Sequence, residues 1–178
     1  AELEKNGYEA YIVGGCVRDS LLERKPKDWD VTTSARPQDV KRIFRNTYDT
    51  GIEHGTVSVR VGTEIYEVTT FRVDGDYSDH RRPDSVEYTD KLAEDLKRRD
   101  FTMAYHPRTG LVDLFGGQED LRTGCIRCVG DPEERFEEDA LRMLRAFRFA
   151  ARFGFQVEEK TEKAVRMKAP LLENVSRE

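Results

Sequence analysis

The stretch that most constrains this chain is YIVGGCVRDSLLERKPKDWDVTT, residues 11–33, where a glycine pair is followed by two aspartates one residue apart. Residues 8–13 read as a strand, Gly14-Gly15 as a tight turn, 17–23 as a helix and 28–33, by their alternation, as a second strand. Side chains two apart on a strand share a face. Asp28 and Asp30 therefore present two carboxylates to one side, while Trp29 and Val31 point toward the core. Like charges that close repel unless a cation lies between them or one carboxylate takes a proton. Hard divalent ions such as Mg²⁺ are the usual remedy and commonly bring phosphates with them. The alternative is an exposed edge carrying two solvated acids. Gly14 and Gly15 stand where backbone N–H groups and a helix start can hold an anion, or where a simple glycine turn suffices. Arg18 falls in the first helical turn, the unfavourable end for a cation, and makes better sense there if it reaches a phosphate.

Downstream, residues 56–61 and 64–71 alternate on either side of Gly62-Thr63, a hairpin signal. One face of the second run carries Ile65, Glu67, Thr69 and Phe71, so Glu67 is the lone charge on a mostly apolar face. It reads either as a strand-end ion pair or as a third carboxylate in or beside a metal shell. Residues 72–89 form a polar connection too long for an ordinary loop, which marks a functional or mobile segment. Helices are expected over 2–6, from Pro37 to 44, and over 90–98, with strands near 101–105, 111–115 and 125–129. One long helix is expected over 132–153, stopped by Gly154, and another over 159–168. The composition shifts near Gly130 from strands and turns to helix, so the expected division is 1–129 and 130–178.

On the 132–153 helix, Phe136, Ala140, Met143, Leu144, Phe147 and Ala151 form an apolar arc, with Asp139 at its edge and Arg142 and Arg145 further round. A carboxylate and a guanidinium one turn apart can offer an acceptor and several donors to a nucleobase, or simply pair on a solvated face.

The net charge of −5 argues against a generally basic nucleic-acid surface, yet 21 of the 30 cationic residues are arginine, which suits fixed contacts to phosphates and base edges. No apolar run approaches the length of a membrane span, and AELEKNGYEA has no signal-peptide pattern, so a cytoplasmic chain with no membrane partner is expected. Cys16, Cys125 and Cys128 are expected to stay reduced; no second cysteine or histidine pair completes a zinc-like set around Cys125 and Cys128.

Several motifs occur in one order: GGCVRDSLL…DWDVTT, TTFR, DHRRPDSVEYT, DLKRRDFT, DLFGGQEDL and RFEEDALRMLRAFRFAARFGF. Together they resemble the class II tRNA nucleotidyltransferases, the CCA-adding enzymes, and the similar bacterial poly(A) polymerases. The resemblance covers essentially the whole chain. It implies an α+β fold, a polymerase-β-like nucleotidyltransferase head with a mixed or antiparallel sheet, followed by an α-helical neck. By the same resemblance Asp28 and Asp30 hold two catalytic Mg²⁺ ions, and Gly15 and Arg18 contact the triphosphate. Arg99 and Asp100 contact the bound nucleotide, with the acid near the ribose. Asp139 and Arg142 read the incoming base, and Arg145 and Arg148 match further nucleotide-contacting arginines. The implied reaction is template-independent transfer of CMP and AMP from CTP and ATP to the tRNA 3′ end.

Within the family, a poly(A) polymerase, an A-only enzyme or a CC-only enzyme are alternatives. The loop with Arg81, Arg82 and Pro83 resembles the flexible element associated with terminal A addition and weighs against CC-only. From another class, the alternative is a nucleotide- or RNA-binding fragment impaired in catalysis. Two departures favour it. About three residues are missing between Thr102 and Met103 relative to the family pattern, and family members continue beyond Glu178 through a helical body that grips tRNA. Such a fragment is expected to bind nucleotide and to hold tRNA weakly.

Overall fold

The computed structural model describes residues 2–80, 83–99 and 103–175, Asn174 by its backbone alone. Contacts gather the chain into two compact parts: Ala1–Val73 with Glu87–Leu114, and Asp74–Val86 with Phe115–Glu178.

The first part begins with α1 (Glu2–Lys5), β1 (Ala10–Val13), α2 (Gly15–Leu21), β2 (Trp29–Thr33), α3 (Pro37–Ile43) and β3 (Thr47–Gly51). The β4 (Thr56–Val61) and β5 (Glu64–Thr70) hairpin follows. Short strands β6 (Arg72–Asp74) and β7 (Val86–Tyr88) pair at the base of the 74–86 excursion, before α4 (Leu92–Lys97), β8 (Met103–His106) and β9 (Gly110–Asp113). Seven strands make one sheet in the order β3-β4-β5-β2-β1-β8-β9. β2 and β5 run parallel and the other neighbours antiparallel, the mixed sheet expected of an α+β head. The hairpin turn is tight because Gly62 supplies φ +63°, a left-handed conformation that side chains resist.

One face of this sheet is the core. Leu3, Ala35, Val40, Val57, Val59 and Val68 are buried together, and Val31 and Tyr66 pack against them. Burying one such aliphatic side chain is worth about 1.5–3 kcal/mol. Trp29 and Val31 point to this side as expected, although both stay half-buried and line an apolar cavity of about 430 Å³. Threonines under the sheet are satisfied locally: the Thr33 hydroxyl donates to the Glu9 carbonyl and that of Thr70 to the Ala35 carbonyl.

The alternation on β5 places its valine side inward and the Ile65 and Glu67 side outward. Val68 and Thr70 are buried with Tyr66 half-buried, whereas Ile65 is 57% exposed and Glu67 is exposed. Glu67 thus lies on the open face, because β4 and β5 bury their valines on the core side.

The second part contains α5 (Gly117–Thr123), β10 (Cys125–Ile126), α6 (Pro132–Glu138), α7 (Leu141–Phe153), β11 (Gln156–Val157), α8 (Glu159–Lys168) and a 3₁₀ segment, Ala169–Asn174. The strand expected over 125–129 is only two residues long and pairs in parallel with β11. Phe136, Ala140, Met143, Ala164 and Val165 form its core. The expected continuous helix over 132–153 is instead two helices. Asp139 breaks it at φ −133°, ψ 99°, and its Oδ1 accepts the Leu141 N–H at 3.0 Å, so an aspartate read as a helix-interior residue caps a new helix. The expected apolar arc also splits: Phe136, Ala140 and Met143 are buried, while Leu144 and Phe147 are 47% and 45% exposed. The three cysteines are free.

Candidate active site

The acid pair is built by β2 and its neighbours. Asp30 is half-buried on β2, and exposed Asp28 immediately precedes that strand. Parallel pairing puts Glu67 of β5 directly beside Asp30, so Glu67 joins the acid pair on the open face. Burial, and then the Asp28 charge, push the Asp30 carboxyl up, with Arg99 pulling the other way. Burial also raises Glu67, followed by the Asp30 and Asp28 charges. With the Asp28 charge acting on Asp30 and both of these charges acting on Glu67, the site has unmet demand for positive charge. Among the described residues no group of three or more His, Cys, Asp or Glu side chains has a geometry that would by itself hold a metal ion. The donor set is nonetheless all carboxylate oxygen, which suits Mg²⁺ completing its shell with water and phosphate.

Gly14 is shaped by this acid. It adopts φ 78°, ψ −147° ahead of α2, and a Cβ there would lie 2.9 Å from Asp30 Oδ2. The first glycine of the pair therefore lets the carboxylate approach the backbone. Gly15 is different: its φ is ordinary, and a Cβ would meet only the end of the Arg18 side chain, 3.4 Å from Nη2. Arg18 is 5% exposed, and its Nε and Nη2 donate to Asp19 Oδ1 at 2.7 and 2.5 Å. The arginine expected to reach a phosphate is thus held by its neighbour, which offsets its charge near the helix start.

Arg99 follows α4 and enters the same neighbourhood. Its Nε donates to Asp95 Oδ2 at 2.9 Å, Nη2 lies 3.4 Å from Thr32 Oγ1, and its charge acts on Asp30. Asp100, Phe101 and Thr102 lie outside the described residues, as do Arg81 and Arg82. The sequence reading missed Thr32 and Asp95. Thr32 was available to it, since on β2 it shares a face with Asp30.

The other candidate residues belong to the second part of the chain. Asp139 is 6% exposed; besides capping α7, its Oδ2 lies 3.8 Å from Arg145 Nη1. Arg142 pairs with Glu138 at 3.0 Å. Glu138 was overlooked, although its four-residue spacing to Arg142 was a signal. The Arg148 guanidinium sits 5.5 Å from the Phe149 ring centre. The 74–86 segment packs here too: the His80 carbonyl accepts the Ala140 N–H at 2.9 Å. The Tyr77 hydroxyl donates to Asp74, and burial and then Asp74 hold its phenol well above the ordinary range.

The model of the poly(A) polymerase head domain family matches residues 10–127. The CCA-adding enzyme of Lactobacillus helveticus (strain DPC 4571) is 55% identical over 177 residues, covering 98% of this chain and 44% of that protein. The CCA-adding enzyme of Enterococcus faecalis (strain ATCC 700802 / V583) is 52% identical over 178 residues, with 98% and 44% covered. The crystal structure of the Bacillus stearothermophilus CCA-adding enzyme in complex with CTP superposes with a TM-score of 0.91 at 48% identity, covering 98% of this chain and 43% of that one. The chain thus spans less than half the length of these relatives. No helix among the described residues is long and apolar enough to cross a membrane. With the family model spanning most of its length and the acid-bearing strand inside that match, the chain belongs to the poly(A) polymerase head domain family.

Proposed function

We propose that this chain is the catalytic part of a CCA-adding tRNA nucleotidyltransferase, with residues 1–129 as the head and 130–178 as the base-reading neck. Its reaction adds CMP and AMP, from CTP and ATP, to the tRNA 3′ end. One observation carries the reading: Asp30 and Glu67 stand side by side on the open face of the central strands, the Asp28 charge acts on both, and Gly14 is backed against the Asp30 carboxylate. The similarity to CCA-adding enzymes, one of them bound to CTP, supplies the substrate class.

In the reaction the RNA 3′-oxygen forms a bond to the α-phosphorus, the bond from that phosphorus to the bridging oxygen breaks, and pyrophosphate leaves. Asp28 and Asp30 would hold two Mg²⁺ ions, with Glu67 beside them. Bound there, Mg²⁺ lowers the pKa of the attacking hydroxyl and neutralises charge on the triphosphate and leaving group. Gly14 and Gly15 bring backbone close to the triphosphate, Arg18 contacts it once released from Asp19, and Arg99 adds positive charge to its binding site; the family role of Asp100 is contact with the ribose. Asp139 and Arg142 select the base, supported by Arg145 and Arg148. Catalysis then rests on positioning and charge stabilisation, with no covalent intermediate on the protein.

The test is a product ladder: RNAs ending just before each of the three CCA positions, incubated with one labelled nucleotide at a time and Mg²⁺. Ordered addition of C, C and A supports the reading. A long A tail would make the protein a poly(A) polymerase, and no extension would make the chain a binding fragment.

A further inference from the structure

Asp95 is 0% exposed, an expensive place for a carboxylate unless it is fully paired. It sits on the six-residue helix α4, whose sequence LAEDLK offers no reason to bury its acid for packing alone. Its partners supply the reason. Oδ1 accepts from the Arg72 backbone N–H at 3.3 Å and from Arg98 Nε and Nη2 at 3.0 and 2.8 Å. Oδ2 accepts from Thr32 Oγ1 at 2.8 Å and Arg99 Nε at 2.9 Å. Five donors converge on one side chain. Thr32 lies two residues beyond Asp30 on β2, so Asp95 grips the strand that carries the acid pair. Arg98 and Arg99 are neighbours whose charges repel, and Asp95 is the anion that lets both stay close together. Of their two positive charges it cancels one, and the Arg99 charge still acts on Asp30.

We propose that Asp95 is a positioning residue for the nucleotide site, acting through Arg99: it fixes the guanidinium against Thr32 so that its charge faces the triphosphate bound at Asp28 and Asp30. The proposal rests on the nucleotide-binding reading of Arg99 given above. Asp95 itself touches no substrate. Its effect on nucleotide affinity therefore exists only while Arg99 is present.

A double-mutant cycle on CTP affinity tests this, measured by calorimetry with Mg²⁺ on the wild type, Asp95→Asn, Arg99→Ala and the double variant. Asp95→Asn is expected to weaken CTP binding about tenfold, equivalent to about 1.4 kcal/mol. On the Arg99→Ala background the same change is expected to have no further effect. A merely structural Asp95 would lower affinity by the same factor in both backgrounds, and that result, or an unchanged affinity for Asp95→Asn, overturns the proposal. If Asp95→Asn does not fold, Thr32→Val enters the same cycle, since it removes one donor to Oδ2 and keeps the charge. A weaker loss that vanishes without Arg99 supports the proposal, and no loss or an equal loss in both backgrounds overturns it. Failure of the wild type to bind CTP refutes the nucleotide reading as a whole, whereas binding with independent effects refutes only the role of Asp95.

Discussion

The geometry at Gly14 permits a quantitative prediction. Gly14 holds φ 78°, ψ −147°, a region essentially reserved for glycine, and any side chain forced into it costs about 1–3 kcal/mol. A methyl group there also meets the Asp30 carboxylate oxygen at 2.9 Å, closer than real Cβ contacts come. Gly14→Ala must therefore either distort the turn into α2 or displace Asp30. The expected cost is about 2–3 kcal/mol of stability, with loss of Mg²⁺-dependent CTP binding greater than the stability change explains. Gly15→Ala is the internal control for stability alone. Its φ is ordinary and its Cβ meets only the movable end of Arg18 at 3.4 Å, so the change is expected to stay within about 0.5 kcal/mol. Urea denaturation of the three proteins, followed by calorimetry with CTP, reads both effects. A Gly14→Ala protein as stable as Gly15→Ala, with CTP affinity intact, would refute the claim that backbone and acid are fitted to each other here.

Further outcomes follow from neighbouring residues. Asp28→Ala and Asp30→Ala should each abolish nucleotide transfer while the circular dichroism spectrum persists; transfer retained by either variant would remove the acid pair from the reaction. Burial pushes the Asp95 carboxyl up, but Arg99 and Arg98 outweigh it and hold it below the ordinary range. A folded pKa below the unfolded one adds stability above the unfolded value, about 3.9, and loses it as the pH falls through the folded one. Wild-type stability should therefore fall below about pH 4 more steeply than that of Asp95→Asn, as chemical denaturation at successive pH values would show. Asp139→Ala removes the acceptor for the Leu141 N–H and should cost about 1 kcal/mol. Asp139→Asn keeps an acceptor oxygen there, so its stability should stay near wild type while the choice between CTP and ATP relaxes. Equal selectivity in wild type and Asp139→Asn would make this residue a cap and nothing more.

The parts of this fold that depend on local chemistry were legible in the sequence. The Gly14-Gly15 turn, the strand bearing Asp30 and the Gly62 hairpin each follow from glycine freedom and two-residue alternation, and the structure has all three, with β2 starting at Trp29 so that Asp28 stands just ahead of it. What stayed hidden depends on partners distant in sequence. Which residue Glu67 would stand beside was not legible, because only the pairing of β5 with β2 sets it against Asp30. Strand β3 was overlooked, since the sequence TYDTG carries almost no apolar pattern. The break at Asp139 was missed because Phe136, Ala140 and Met143 keep helical spacing across it, although an aspartate ahead of an apolar run is also a capping signal. Asp95 could not be singled out, because only folding brings Thr32, Arg72, Arg98 and Arg99 to it. The resemblance supplied residue roles that no local pattern in this chain specifies.

The central claim is that the Asp28, Asp30 and Glu67 face is where metal and triphosphate meet. The most direct measurement is anomalous diffraction from crystals of the protein grown with Mn²⁺ and CTP. The account predicts anomalous peaks between Asp28 and Asp30, with triphosphate oxygens completing the coordination. Triphosphate bound elsewhere, or Mn²⁺ peaks away from this face, would contradict it.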